Sequence, residues 1–217
     1  MNLPANVEAV VFDCDGLLVD TETAWTRAET ALFAENGHPF GLEQKQLLIG
    51  RTLADAGRAM AAYFSRTGEA AALAQRLHDL VAVELAAGAD ALPGARDMVA
   101  KLRDRVPIAV ASNSPRAFVD AALTSAKLDD LFTVVVTADD VEHPKPAPDL
   151  YLAACAALQA HPSAAVAFED SRTGVTSART AGMFVVGIPS LPGTTLDTDA
   201  TFTTLADPHL TRWAATV

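Results

Sequence analysis

Val10-Val11-Phe12-Asp13-Cys14-Asp15-Gly16 is an apolar run that ends on two carboxylates one residue apart, followed by a glycine. Four consecutive apolar residues from Ala9 to Phe12 suit a strand buried on both faces, as in a parallel sheet. At the end of such a strand Asp13 and Asp15 can both project into the crevice where open α/β sheets take their ligands. Two carboxylates at one mouth repel each other unless a proton or a cation compensates. A divalent metal with oxygen ligands would do so. The same residues also suit a solvated strand end and a turn at Gly16.

Outward from this stretch, four further apolar runs read as strands: Ile108–Ala111, Thr133–Thr137, Val166–Phe168 and Phe184–Ile188. Between them lie segments with helical spacing. Gly94–Arg105 carries Ala95, Met98, Val99 and Leu102 on one face. Pro115–Ala126 opens with Ser114 as a candidate N-cap and Pro115 at the first helical position. Asp149–Gln159 and Arg172–Ala181 fill the next gaps. This alternation predicts an α/β fold with a doubly wound parallel sheet.

One gap breaks the pattern. Residues 20–91 hold no convincing strand, and three helices are expected there: Thr23–Asn36, Thr52–Thr67 and Glu69–Ala86, closed near Gly37, Gly68 and Gly88. Pro93-Gly94 then returns the chain to the sheet. The reading is a core domain of residues 1–19 and 92–217, with an all-helical domain of residues 20–91 inserted after strand one. The alternative is an extended helical layer of one domain.

Composition narrows the function. The chain has 217 residues, half of them hydrophobic, which is enough for a sizeable core. Lys plus Arg number 16 against 27 Asp plus Glu, a net charge of -11. That field opposes a polyanionic backbone, so no nucleic-acid polymer is expected as partner. No apolar run approaches the roughly 18 residues of a membrane span, and Met1 to Ala9 lacks a signal-peptide layout. With only Cys14 and Cys155, a cytoplasmic protein with reduced thiols is expected, a monomer or weak dimer without membrane partners.

Three more stretches carry chemistry. Ala109-Val110-Ala111-Ser112-Asn113-Ser114-Pro115 ends a strand in small donors before a helix N-terminus, which suits an anion or simple capping. Glu142-His143-Pro144-Lys145-Pro146-Ala147-Pro148-Asp149 sets one of only four lysines among three prolines. That backbone is stiff and aims the ammonium, unless the loop is merely a rigid surface. Val166-Ala167-Phe168-Glu169-Asp170-Ser171 ends a strand in adjacent acids, for a hard metal or for a helix dipole. All four stretches fall where a parallel sheet gathers its carboxyl ends. Acids at two ends, donors at a third and a lysine at the fourth describe a magnesium-and-phosphate site.

In this order the four stretches resemble the motifs of the haloacid dehalogenase superfamily of phosphotransferases. The resemblance runs over essentially the whole chain. Phe12-Asp13-Cys14-Asp15-Gly16 through Asp20-Thr21-Glu22 is similar to the first motif in its phosphatase and phosphomutase form, and residues 20–91 resemble the small helical cap. The resemblance implies Asp13 as nucleophile, forming an aspartyl phosphate. It implies Asp15 as the acid that protonates the leaving oxygen and then activates water, its backbone carbonyl also facing Mg²⁺. Ser112 and Asn113 would hold the phosphoryl group, and Lys145 would neutralise it together with Asp13. Asp170 would bind the metal, with Glu169 as ligand or behind it, so the metal set is Asp13, Asp15, Glu169 and Asp170. Asp15 must carry a proton in the first step, so it should be the less well paired acid.

The expected function is Mg²⁺-dependent hydrolysis of a small phosphate monoester, a sugar phosphate or a nucleoside-like monophosphate. Mutases resembling β-phosphoglucomutase carry a histidine where this chain has Trp25. A phosphonate hydrolase would need a Schiff-base lysine, and the only lysine of residues 20–91 is Lys45. A phosphosugar mutase and a catalytically silent phospho-ligand binder on the same fold are the alternatives. Substrate contacts are expected from Arg51 and Trp25.

Overall fold

The computed structural model describes residues 3–191 and 193–217. Met1 and Asn2, which open the Met1–Ala9 stretch and the 1–19 segment, lie outside the described residues, as does Pro192.

Six parallel strands form one sheet in the order β3-β2-β1-β4-β5-β6. They are β1 (Ala9–Phe12), β2 (Ile108–Ser112), β3 (Val134–Thr137), β4 (Ala165–Glu169), β5 (Phe184–Gly187) and β6 (Ala200–Thr201). The first five match the sequence reading within two residues. The two-residue β6 carries too little apolar pattern to be read.

Strand β1 shows why the runs are apolar throughout. Val10 and Phe12 face one side, against α5 (Ala95–Arg103), α6 (Arg116–Ser125) and α9 (Pro208–Trp213). Ala9 and Val11 face the other, against α7 (Asp149–Ala157) and α8 (Arg172–Thr180). Phe12 and Phe168 stack across adjacent strands with ring centroids 5.0 Å apart. Full burial of each such side chain contributes about 1.5–3 kcal/mol.

Two details differ from expectation. Pro115 caps α6 instead of starting it, and the Ser114 hydroxyl bonds Asp15 instead of the helix. Helix α9 was not expected: its six residues are too short for a period to emerge, although Asp207 and Pro208 give it an N-cap and a first-turn proline.

Between β1 and α5 run α1 (Glu22–Glu35), α2 (Leu42–Leu48), α3 (Leu53–Tyr63) and α4 (Ala70–Leu85). The short α2 is the one the sequence did not announce. These helices bury a core of their own, including Leu32, Phe33, Met60, Leu77 and Val81. The chain leaves and re-enters the sheet layer as a short antiparallel ribbon: Asp20 N–H donates to Asp90 at 2.9 Å, and Leu92 N–H donates to Leu18 at 2.9 Å. Among the described residues no helix is long and apolar enough to cross a membrane.

The strand order reverses direction between β1 and β4, so helices leave the sheet on opposite sides there and a crevice opens beyond the two carboxyl ends. Asp13 follows β1, and Glu169-Asp170 end β4.

Gly94, on the return path, has φ +84°, and a Cβ there would collide with the Ala206 backbone. Gly94→Ala should therefore cost about 2 kcal/mol or more, through left-handed strain and displacement of the 205–206 segment. A lower urea midpoint at unchanged slope would show it.

Candidate active site

Lys145 is the hub of the crevice. Its ammonium is buried and lies 2.6 Å from Asp13 Oδ1 and 2.6 Å from Glu169 Oε1. Its backbone is pinned too: its N–H donates to Asn113 Oδ1 at 2.9 Å, and its carbonyl accepts from Asn113 Nδ2 at 3.0 Å. Burial alone would pull the Lys145 ammonium down, but Asp13 and Glu169 outweigh it and hold the pKa above the ordinary lysine value. The two carboxylates thus favour the charged form of the lysine.

Glu169 is fully buried and heavily engaged. Oε1 also accepts from Tyr151 OH at 2.7 Å, and Oε2 accepts from Ser171 Oγ at 3.2 Å and from the backbone N–H groups of Asp170 and Ser171. Gly174, on the first turn of α8, makes room for it, since any Cβ there would overlap the Glu169 carboxylate.

Asp13 and Asp170 are in a different condition. Burial drives the Asp13 carboxyl well above the usual range, opposed by Lys145 and reinforced by Glu169 and Asp15. Burial does the same to Asp170, with Asp13 and Glu169 adding repulsion. Asp170 Oδ2 is buried without a hydrogen-bond partner. A Cβ on Gly16 would reach within 2.7 Å of that oxygen, so the glycine leaves the space above it open.

Asp15 is in no ion pair among the described residues, but it is not the least engaged acid of the cleft. Its oxygens accept three hydroxyls: Thr21 at 2.7 Å, Ser112 at 3.0 Å and Ser114 at 2.8 Å. Ser114 and Thr21 were not foreseen in this role.

Asp13, Asp15, Ser112, Asn113, Lys145 and Asp170 line one cleft, together with Trp25 and Arg51 from the helical layer. Glu169 lies behind its wall. The Asn113 amide is divided between the carbonyls of Lys145 and Gly50, the latter at 2.9 Å, so it ties the sheet loops to the α2–α3 loop and is not free for a phosphoryl oxygen. The Trp25 ring is half-buried and packs edge-on to Phe118, while Arg51 is exposed at the rim. Among the described residues no group of three His, Cys, Asp or Glu side chains is set to hold an ion by itself. Of the expected metal set, Asp15 is expected to act through its backbone carbonyl, which its side-chain bonds leave unaffected, while the Glu169 carboxylate is engaged by Lys145 and Tyr151. Asp13 and Asp170 are the carboxylates of the set that face the cleft with capacity left.

On the helical side of this cleft Glu29 joins Lys45 and Glu22 in a cluster that the sequence reading did not assemble. Lys45 Nζ lies 2.8 Å from Glu29 Oε2 and 2.8 Å from Glu22 Oε2. A signal existed: Glu29 stands four residues from both Trp25 and Phe33, an acid on the apolar stripe of α1. Burial pushes the Glu29 carboxyl up to about 7, with Lys45 opposing.

The family model described as haloacid dehalogenase-like hydrolase matches residues 10–188. Validoxylamine A 7'-phosphate phosphatase of Streptomyces hygroscopicus subsp. limoneus is 35% identical over 191 residues, covering 83% of this chain and 85% of that protein. Protein CbbY of Rhodobacter capsulatus is 34% identical over 195 residues, covering 85% and 86%. The crystal structure of CbbY from Rhodobacter sphaeroides in complex with phosphate superposes with a TM-score of 0.79 at 26% identity, over 93% of this chain and 96% of that one.

Glu29 makes stability depend on pH. The folded chain holds its proton up to about 7, while an unfolded chain releases it near 4.5. In that window the folded state binds more protons, so stability falls as pH rises. Glu29→Gln should therefore gain on the wild type by a few kcal/mol between pH 4.5 and 7.5. Urea midpoints of the two proteins measured across this range should converge or cross. Parallel curves would mean that Glu29 is ionised throughout.

Proposed function

The chain belongs to the haloacid dehalogenase-like hydrolases, and from that premise we propose that it is a magnesium-dependent phosphatase of small sugar phosphates. One observation carries this reading: a buried lysine joins Asp13 to Glu169 at the switch point of the sheet, with the Asp170 carboxylate beside them unpartnered. The relatives named as phosphatases support the reaction class.

The residues fit a magnesium ion. Asp13, Glu169 and Asp170 bring three carboxylates against the single ammonium of Lys145, a deficit of positive charge in a buried place. Mg²⁺ usually takes one or two carboxylates and keeps several waters, and Asp13 and Asp170 are the two with capacity left. Glu169 instead positions Lys145. Bound magnesium would stabilise the negative charge of the transferring phosphoryl group.

In the proposed sequence Asp13 attacks phosphorus and the ester oxygen departs, leaving an aspartyl phosphate that water then cleaves. Lys145 keeps Asp13 oriented and offsets charge as it moves. Asp15 donates its proton to the departing oxygen and then takes one from the attacking water. To do so it must exchange the hydroxyls of Thr21, Ser112 and Ser114 for the substrate. Ser112 remains beside the phosphoryl position, while Asn113 acts by fixing Lys145.

We take residues 20–91 as the cap and residues 1–19 with 92–217 as the catalytic domain. The cleft between them is lined from both sides, and we expect the helical layer to swing on the ribbon at Asp20 and Leu92 as substrate enters and product leaves. Trp25 offers no exchangeable proton acceptor where mutases of similar type have histidine, which supports hydrolysis over transfer back to a sugar.

Asp13→Asn should lower phosphate release by several orders of magnitude with little loss of stability, because Asn keeps the shape and Lys145 keeps its pairing with Glu169. Near-normal release from a folded variant would overturn the assignment. Chelation should abolish wild-type turnover, Mg²⁺ restore it and Ca²⁺ fail to, since Ca²⁺ favours more ligands and looser geometry. Full activity in excess chelator would contradict the metal.

A further inference from the structure

The reaction described above uses the sheet side of the cleft and leaves the Glu22–Lys45–Glu29 cluster without a task. That cluster is costly. Each buried ion loses several kcal/mol of hydration, and an apolar trio would usually stabilise the helices as well or better. Its surroundings are apolar: Leu48, Ala56 and Leu77 line the same wall. Exposure rises along the cluster, from 3% for the Glu29 side chain to 7% for Lys45 and 22% for Glu22, so its charged groups lead from the helical core to the cleft.

We propose that Glu22, Lys45 and Glu29 form a polyol subsite that selects leaving groups bearing adjacent hydroxyls and no second phosphate. This rests on the phosphatase reading and names its substrate class. Lys45 has three N–H groups; one hydrogen-bonds Glu29 Oε2, and Glu22 Oε2 lies 2.8 Å from the ammonium yet is buried without a hydrogen bond. An ammonium donor is thus left beside an accepting Glu22 oxygen that has no donor of its own. A hydroxyl donates and accepts at once, so it can give its proton to Glu22 while receiving one from Lys45. A neighbouring hydroxyl on the same carbon chain extends the pattern. An alkyl or aryl leaving group satisfies neither and strips both of water, which is how sites built to hydrogen-bond a hydroxyl reject analogues lacking it.

Charge separates the remaining candidates. Glu22 alone matches the Lys45 ammonium, and Glu29 adds a further negative charge when it ionises, so no surplus positive charge is left in the buried part of the leaving-group side. Arg51 is the other cation of that side, but it is exposed at the rim, where solvent and salt screen it. A second phosphate would therefore meet buried acids before any unscreened cation.

The test compares one sugar monophosphate with vicinal hydroxyls, its bisphosphate counterpart and phenyl phosphate in the full-length enzyme. The ratio of kcat/KM for the sugar monophosphate to that for phenyl phosphate should fall at least tenfold in Glu22→Gln and in Lys45→Met, with most of the change in KM. The wild type should use the monophosphate at least tenfold better than the bisphosphate. Ratios within twofold of wild type in Glu22→Gln, or a wild-type preference for the bisphosphate, would overturn the proposal. Lys45→Met leaves buried acids unpaired, so Glu22→Gln on the wetter side decides the case if Lys45→Met does not fold. If no ester is hydrolysed, phenyl phosphate included, the phosphatase reading falls instead. The subsite is then read from equilibrium binding of the sugar monophosphate to Asp13→Asn, where adding Glu22→Gln should weaken affinity at least tenfold and unchanged affinity would refute it.

Discussion

Lys145 held between Asp13 and Glu169 is the contact around which the catalytic half is arranged, because an unshared buried ammonium would be intolerable there. Breaking a buried pair from one side costs about 3–5 kcal/mol. Each neighbour reduces that exposure to risk. Asn113 grips the lysine backbone from both directions. Tyr151 hydrogen-bonds Glu169 and sets its ring 4.9 Å from the ammonium. Gly174 gives up a side chain so that Glu169 can stay. The proline-flanked loop, which in sequence could equally have been a surface feature, is rigid because its lysine must enter the sheet crevice.

The helical side repeats the device with the same count of charges. There, too, one lysine serves two carboxylates, but the trio lies on α1 and α2, apart from the sheet. The two ion clusters face one cleft from opposite walls and are mechanically joined. Asn113, which holds Lys145, also holds the Gly50 carbonyl of the α2–α3 loop. Phe118 of α6 packs into the helical core and meets both Trp25 and His78. A shift of the helices relative to the sheet therefore changes the partners of groups that position the reacting residues.

What could be read from the sequence follows from where the physics is local. Five strands were legible because burial on both faces forces continuous apolar runs, as in Ala9–Phe12 and Ala165–Glu169. The acids and the lysine were legible because each follows a strand end that the sheet gathers. Helices α2 and α9 were not, being seven and six residues long, below the length at which a period declares itself. Ser114 was read as a cap because local spacing permits it, whereas its hydroxyl goes to Asp15, 99 residues away in sequence. Glu169 reads equally as metal ligand or as a residue behind one, because its bonds to Tyr151 and Lys145 come from segments distant in sequence. The pairing of Glu29 with Lys45 depends on how two helices pack, which no spacing within either helix encodes.

Charge sets the order of events at the floor of the cleft. The chain as a whole carries -11, and Asp13, Glu169 and Asp170 outnumber Lys145 there. A phosphate ester brings further negative charge, so its binding is opposed both by the long-range field and by the nearest acids. Burial already favours the protonated forms of Asp13 and Asp170, and a protonated Asp13 is a poor nucleophile. Under the magnesium reading, Asp13 and Asp170 would hold the cation, and its charge would favour the ionised form of Asp13 and offset the phosphoryl oxygens. Lys145, already committed to two acids, supplies orientation more than spare charge. The acidic floor thus has more negative than positive charge of its own, which is the property the magnesium reading addresses.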